Sequence, residues 1–254
     1  IDFGFFELRW YSLAYILGIL LGWLYALKII QKTNIDQNHK AITTKMFDDL
    51  IVYLIIGIII GGRLGYVFFY DYKYYIQNIS EIVKIWNGGM SFHGGLLGTI
   101  AAIYIFAKRN KVNFFHYSDI IACAAPIGLF LGRIANFING ELFGKVSSAP
   151  WAIVFPTGNN IARHPSQIYE ALLEGVVLFL LINFFAVRKK LLSKPGYVSS
   201  LFLIFYSIFR FFIEFTREPD AHIGLVLFNL SMGQLISVIV FFVGIFLWKS
   251  KKNV

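Results

Sequence analysis

The side chains best suited to chemistry in this sequence are a few polar groups set inside long apolar stretches. Arg210 follows Tyr206 and precedes Glu214 and Arg217, so the four positions are i, i+4, i+8 and i+11. On a helix these positions share one face. Ionisable groups inside apolar spans are functional candidates because burying a charge in a bilayer is costly. An ion-pair ladder at the helix end accounts equally well for Glu214 and Arg217.

A second polar pair ends another apolar stretch. Arg133 and Asn136 are i, i+3 neighbours within residues 132–144 (GRIANFINGELFG). The small residues of this string indicate close packing against another backbone or a substrate. Packing explains the glycines and leaves the arginine and the asparagine to be explained by function.

A histidine lies between two glycine pairs in residues 88–95 (GGMSFHGG). Glycine pairs weaken a helix, so we predict an irregular entry to the apolar stretch that follows. His93 has two interpretations, a hydrogen-bonded core residue or a base, since imidazole titrates near neutral pH. Ser91 is two positions away and does not face His93 on a helix, which disfavours a serine nucleophile with a histidine base.

Two further groups of charged residues receive structural interpretations. In residues 61–66 (GGRLGY) we interpret Arg63 as an arginine that snorkels from a thinly packed helix. Glu170 and Glu174 are i, i+4 neighbours, and we expect them to pair with arginines of neighbouring helices.

Composition identifies the elements that must position these groups. The 254 residues are 57% hydrophobic and only 15% charged, which excludes an ordinary soluble domain and a disordered chain. A single cysteine excludes a disulfide framework and a metal site built from cysteines. A membrane-spanning helix needs about 20 apolar residues. The sequence therefore predicts an all-α integral membrane protein with seven transmembrane helices, at residues 10–30, 47–70, 88–107, 118–138, 166–187, 197–215 and 231–248.

The distribution of charge predicts the topology. The net charge is +9, and fourteen of the 23 Lys and Arg residues fall on one side of the seven predicted spans, against six on the other and three within spans. The positive-inside rule then places the N-terminus outside and the C-terminus in the cytoplasm. Spread over separate loops, the basic residues do not indicate a nucleic-acid partner. The first span is too long for the core of a signal peptide, so we expect the mature protein to retain it.

The polar groups cluster toward the outer ends of the predicted spans and suggest a ligand. Guanidinium groups match the geometry of phosphate with paired donors. An amphiphile with a phosphate headgroup is therefore the expected ligand, with its phosphate on Arg133 or Arg210 and its apolar tails between helices. A neutral histidine near such cations is suited to act as a base.

The strings named above strongly resemble the bacterial prolipoprotein diacylglyceryl transferase family. Residues 163–170 (RHPSQIYE), residues 9–11 (RWY) and the FR…E…R-x-PDA pattern of residues 209–221 extend the resemblance. The matching strings occur in order through nearly the whole chain. Ser12 departs from the pattern, because family members commonly have glycine after the Trp-Tyr pair.

The resemblance implies an activity and a location. The family moves the diacylglyceryl group of phosphatidylglycerol onto the lipobox cysteine thiol of preprolipoproteins, forming a thioether and releasing glycerol 1-phosphate. The implied location is the bacterial cytoplasmic (inner) membrane, as a multi-pass protein. One membrane-embedded transferase domain is expected over residues 1–254, with a small outer-face loop region around 139–165 and without a metal or cofactor.

The resemblance also implies site residues. The family's essential positions match Tyr11, His93, Arg133, Asn136, Gly144 and Arg210, and its supporting positions match Glu141, Tyr206, Glu214 and Arg217. We expect His93, Arg133 and Arg210 to be catalytic and the others to bind substrate, with the identity of the base left open. An anionic-lipid transporter or flippase is the alternative, because it would use the same arginines without a thiol acceptor.

Overall fold

The computed structural model describes residues 10–33, 42–218, 226 and 229–252 of the chain. It is mostly helical, at 76%. The helices, numbered here in chain order, are α1 (Trp10–Thr33), α2 (Thr44–Phe69), α3 (Tyr72–Gln77), α4 (Phe92–Asn110), α5 (Phe114–Ile138), α6 (Ser166–Arg188), α7 (Tyr197–Ile213) and α8 (Met232–Lys252). Single helical turns at Ile79–Val83, Ile85–Asn87 and Leu191–Ser193 complete the helical elements of the described residues.

Each of the seven predicted spans is occupied by a helix. Five helices are long and apolar enough to cross a membrane, namely α1, α2, α5, α6 and α8 up to Lys251. Of the other two, α7 is apolar with 17 residues and α4 has 19. The structure thus confirms a mostly helical protein with five candidate membrane spans. The seven-pass topology stays a prediction.

The chain divides into two compact units, Ile30–Ser118 and Ile1–Ile29 together with Asp119–Val254. In the first unit, α2 and α4 pack through glycines. A side-chain carbon on Gly57 would lie 2.6 Å from the carbonyl oxygen of Gly98, and one on Gly65 would lie 2.6 Å from the Cα of Gly94. The two backbones therefore touch, which is how small residues hold helices together where the surroundings are apolar.

Filling this contact is expected to separate the two helices. A Cβ on Gly98 would overlap the carbonyl of Gly57, so Gly98→Ala should destabilise the protein by about 3 kcal/mol. Gly95→Ala is the matched control, because a Cβ there meets its first neighbour at 3.8 Å. Thermal unfolding in detergent measures both variants, and equal midpoints would contradict the packing role of Gly98.

The predicted irregular entry to α4 is confirmed. Gly88 and Gly89 have φ of 81° and 78°, a left-handed conformation that favours glycine. Ser91 then caps the helix, because its hydroxyl accepts a hydrogen bond from the Gly94 amide at 3.2 Å. A buried capping serine does not serve as a nucleophile, which agrees with the interpretation drawn from its spacing to His93.

In the second unit, a buried carboxylate fixes the start of α7. Asp119 of α5 is 1% exposed and accepts hydrogen bonds from the amides of Gly196 and Ser199, each at 2.7 Å. The Ser199 hydroxyl donates a third hydrogen bond to it. These amides belong to the first turn of α7, which lacks partners within the helix, so Asp119 acts as its N-cap from a neighbouring helix.

Helix α6 is irregular along its length. It is α-helical at Ser166–Glu170 and Leu178–Asn183, and π-helical at Ala171–Val177 and Phe184–Arg188. Gly175 lies within the first π-helical stretch, where a Cβ would come 2.7 Å from Phe130 of α5. π-helical turns within α-helices are frequent at functional sites.

Between α5 and α6 the chain forms a small two-stranded sheet. Strand β1 (Ile153–Val154) pairs antiparallel with β2 (Ala162–Arg163), with Ile153 opposite Arg163. Single bridges join Val146 to Arg163 and Gly144 to Arg217. The second bridge ties this connection to the residues that follow α7.

Candidate functional site

The arginine cluster

The predicted polar stripe forms on α7 and its C-terminal turn. Arg210 Nη2 lies 3.1 Å from a carboxylate oxygen of Glu214, and Arg217 Nε lies 3.4 Å from the same oxygen. The stripe thus contains the ion pairs that its spacing predicts. Tyr206 lies one turn before Arg210, with its ring stacked on Phe202.

A buried carboxylate of α6 connects this stripe to α5. Glu170 is fully buried, and its carboxylate lies 2.6 Å from Arg133 Nε, 3.1 Å from Arg210 Nη1 and 2.6 Å from Arg217 Nη1. One carboxylate therefore orients three guanidinium groups from three parts of the chain. The expected pairing of Glu170 with arginines of neighbouring helices is confirmed.

A second buried carboxylate lies one turn further along, in the π-helical stretch. The Glu174 oxygens are 3.6 Å from Arg210 Nη1 and 3.9 Å from Arg133 Nη2. Within the described part of the chain neither oxygen has a hydrogen-bond partner. Glu174 thus lies beside the arginines without fixing the orientation of any of them.

The cluster contains equal numbers of arginines and glutamates and reaches the protein surface. Three arginines face three glutamates, so the formal charges cancel when all six are ionised. The side chains of Arg133 and Arg210 remain 20% and 16% exposed. Guanidinium groups held from behind by carboxylates, with part of their surface open, are suited to bind an incoming anion.

Residues around the cluster

Arg133 is linked to the loop after α5 through Asn136. Arg133 Nη1 lies 3.5 Å from Asn136 Oδ1, and Asn136 Nδ2 donates to Glu141 at 2.9 Å. Gln167 of α6 donates to the Glu141 carbonyl at 2.7 Å. The predicted residues Arg133, Asn136 and Glu141 are therefore brought together in one chain of hydrogen bonds.

Gly144 is a crossing point of three backbone segments. Its amide donates to the His164 carbonyl at 2.8 Å, and its residue pairs with Arg217 in a bridge. A Cβ at this position would lie 2.8 Å from the Cβ of His164 and would overlap the Thr216 carbonyl. The close approach that only glycine permits helps to hold Arg217 within the cluster, which gives Gly144 a structural reason for its place in the motif.

Tyr11 lies on the first turn of α1 with an exposed side chain. Its hydroxyl accepts a hydrogen bond from Tyr15 at 3.3 Å, and the two rings meet edge to face. Arg9 and residues 219–221, which carry two of the resembling strings, lie outside the described residues.

His93 belongs to the other unit, Ile30–Ser118. It is exposed in the first turn of α4, two residues after the capping Ser91, and its ring packs edge-on against Phe92. The imidazole is therefore not the buried core residue of the first interpretation given for His93.

A buried arginine that positions the start of α4

The interpretation of Arg63 as a snorkelling arginine is wrong. Arg63 is only 4% exposed and donates to five backbone carbonyls of the segment between α3 and α4. Its guanidinium also lies 5.0 Å from the centre of the Tyr75 ring. The accepting carbonyls belong to Glu81, Ile82, Lys84, Gly88 and Gly89.

Two partly exposed side chains near this arginine, Glu81 and Lys84, form an ion pair of their own. Lys84 donates to the Glu81 carboxylate and thereby holds the pKa of that carboxyl below its usual range. The backbone carbonyls of the same two residues accept hydrogen bonds from Arg63.

Arg63→Lys should release this segment and the start of α4 with it. Lysine has three donors and no planar fork, so at least two charge-assisted hydrogen bonds are lost, at a cost of about 3 kcal/mol in local opening free energy. Hydrogen exchange should speed up at residues 81–91. Arg109→Lys, an exposed arginine of the same unit, is the control, and unchanged exchange in both variants would contradict the role of Arg63.

Missed residues and comparisons with known proteins

Sequence patterns missed two central features of these sites. The sequence predicts only a structural role for Glu170, although Glu170 contacts more of the predicted functional arginines than any other described residue. The second feature is the burial of Arg63 against five carbonyls. Its one indication in the sequence is the set of glycines on either side of Arg63, which allow another backbone segment to approach closely.

Comparisons with known proteins assign the chain to a family. The family profile for prolipoprotein diacylglyceryl transferase matches residues 1–249. A phosphatidylglycerol–prolipoprotein diacylglyceryl transferase from Rhizobium meliloti (strain 1021) is 51% identical over 244 residues, which cover 95% of this chain and 87% of that protein. One from Rickettsia felis (strain ATCC VR-1525 / URRWXCal2) is 50% identical over 244 residues, covering 96% and 92%. The chain therefore belongs to the prolipoprotein diacylglyceryl transferase family.

Proposed function

We propose that this protein transfers the diacylglyceryl group of phosphatidylglycerol to the lipobox cysteine of preprolipoproteins. The observation that carries the proposal is the cluster of Arg133, Arg210 and Arg217, ordered by one buried carboxylate and still reaching the surface. The family membership supplies the reaction, and the cluster supplies a site that fits an anionic headgroup.

The reaction needs a thiolate and a stabilised leaving group. The substrate thiol loses its proton, the sulfur attacks the diacylglyceryl carbon that bears the phosphate ester, and a C–S bond forms as the C–O bond breaks. Glycerol 1-phosphate departs with the electron pair on its phosphate oxygen. Arg133 and Arg210 stabilise the charge that develops there, and Asn136 orients the headgroup oxygens.

His93 is the proposed base for the thiol proton. Only the thiolate attacks well, and a free thiol has a pKa of about 8.5. His93→Gln should therefore lower the transfer rate at pH 7 by about 100-fold. A rise in pH should restore part of the activity, because the thiol then ionises without a base. A variant that keeps full activity at pH 7 would contradict this role.

The remaining predicted residues are proposed to bind the substrate. Tyr11 and Tyr206 would contact the headgroup and the upper part of the acyl chains, while Glu214 and Arg217 complete the arginine cluster. Glu141 and Gly144 hold the loop that closes around Asn136.

The decisive experiment is transfer to a lipobox peptide in detergent. The purified protein is incubated with a cysteine peptide and phosphatidylglycerol, and the peptide mass is measured. We expect an increase equal to one diacylglyceryl group, which is absent without phosphatidylglycerol or with a serine in place of the peptide cysteine. Movement of labelled phosphatidylglycerol across a vesicle bilayer without any peptide modification would favour a lipid transporter instead.

We also propose that seven helices cross the bacterial inner membrane with the N-terminus outside. The five candidate spans and the excess of basic residues on alternate connections support this topology. A reporter fused after Trp248 should be active only in the cytoplasm. Activity only on the outer side would contradict the proposed orientation.

A further inference from the structure

The segment between α2 and α4 exposes an unusual amount of apolar surface. Its helical pieces, α3 and the turns at Ile79–Val83 and Ile85–Asn87, have six, five and three residues, too short to cross a membrane. Six large apolar side chains between the end of α2 and the start of α4 are each 65% to 80% exposed, namely Phe69, Ile76, Ile79, Val83, Trp86 and Phe92.

Buried contacts and backbone hydrogen bonds hold this exposed segment in place. Arg63 binds five of the segment's carbonyls, and Tyr75, the buried residue of α3, packs against the Arg63 guanidinium. The amides of Glu81, Lys84, Asn87 and Gly88 donate to carbonyls three residues earlier. A backbone whose polar groups are satisfied internally can enter a region that is poor in water.

The apolar surface is continuous with that of the membrane helices. Phe69 is the last residue of α2, a candidate span, and Phe92 is the first residue of α4. Leu97 and Ile100 of α4 are also exposed and extend the apolar surface along that helix. Lipid covers the exposed apolar side chains of a membrane span, so it is also the occupant that this continuity favours for the segment.

The residue types match the boundary between hydrocarbon and headgroups. Tyr70, Tyr72, Tyr74 and Trp86 are exposed and carry the amphipathic rings that concentrate at membrane interfaces. Charged side chains on the same segment come in both signs, with Lys73 and Lys84 against Asp71 and Glu81. Such a mixture lies in the headgroup layer more favourably than in hydrocarbon.

We propose that residues 69–92 form an interfacial foot, a non-spanning segment that lies in the headgroup layer of the bilayer with its apolar side chains in the acyl boundary. Arg63 holds the foot against the end of α2, and the foot leads directly into the turn of α4 that carries His93. The bilayer surface thereby becomes part of what positions the start of α4.

Neighbouring residues provide a matched test. Single cysteines replace Ile79 and Ser80 in a Cys123→Ala background, since Cys123 is the only native cysteine. Each is labelled with an environment-sensitive fluorophore in phosphatidylglycerol-containing nanodiscs. We expect the label at position 79 to be blue-shifted, quenched by lipids with a nitroxide near the headgroup and shielded from aqueous iodide. The label at position 80 should be quenched by iodide.

Two outcomes would overturn the proposal. Quenching of both labels by iodide alone would place the segment in water, and protection of position 79 from both iodide and nitroxide lipid would mean that protein covers it. Trp86→Phe gives an independent measurement without a label. The amount of tryptophan emission that brominated lipids quench should be smaller in this variant than in the wild type. An equal amount of quenched emission would also overturn the proposal.

Discussion

Glu170→Gln is expected to lower the kcat of diacylglyceryl transfer by about 100-fold, the size of effect seen when catalytic groups lose their alignment. Glutamine places an amide among three guanidinium groups that the carboxylate holds at 2.6 to 3.1 Å. The substitution removes one negative charge from the cluster, so the three arginines still attract an anion and the KM for phosphatidylglycerol should not rise. Initial rates against lipid concentration separate the two constants.

Glu174→Gln is the matched control for this substitution. Both glutamates are fully buried on α6, one turn apart, and the two substitutions are isosteric. Because the Glu174 oxygens lie 3.6 and 3.9 Å from the arginines, their loss should cost much less activity. If Glu174→Gln lowers kcat more than Glu170→Gln does, at comparable thermal stability, then Glu170 is not the residue that orients the three arginines.

The second large effect is expected for Arg133→Lys. Lysine keeps the charge and loses the planar fork, so it cannot bind Glu170 through Nε, reach Asn136 through Nη1 and face a phosphate at once. We expect kcat to fall by about 100-fold, as when a preorganised donor is removed from a developing anion. Steady-state transfer to a lipobox peptide measures the loss.

Arg188→Lys provides the comparison, since Arg188 is exposed at the end of α6 and its charge is solvated. It should leave the activity close to that of the wild type. Unchanged turnover in Arg133→Lys would remove the support for phosphate clamping by a bidentate arginine.

Local spacing in the sequence was enough to predict the stripe on α7. Four polar residues at helical intervals share a face whatever the rest of the chain does, and two of the observed ion pairs are i, i+3 and i, i+4. The same logic placed Glu170 and Glu174 on one face of α6 and predicted that they meet arginines.

Local spacing could not predict which arginines Glu170 and Glu174 contact. Glu170 is 40 positions from Arg210 and 47 from Arg217, and a contact of that span depends on how whole helices pack. The π-helical turns of α6 are likewise set by packing, here of Gly175 against Phe130, and their residues have no distinctive composition.

Arg63 shows why an interpretation based on residue type was wrong. A lone arginine near a helix end usually extends its charge to water. Here the glycine-rich turn before α4 brings a set of carbonyls to the guanidinium instead, and burial becomes favourable because every donor finds an acceptor. Carbonyls have no sequence signature, so the partner could not be read from the motif.

The capping of α7 by Asp119 has a consequence for the depth of the arginines. A helix of 17 residues is about 25 Å long, shorter than the roughly 30 Å of hydrocarbon in a typical bilayer. If α7 crosses the membrane in the proposed topology and Asp119 holds its first turn at one boundary of the hydrocarbon, Arg210 lies below the opposite boundary. In that arrangement the bilayer would have to thin locally, or water would have to descend, for a lipid phosphate to reach the arginines.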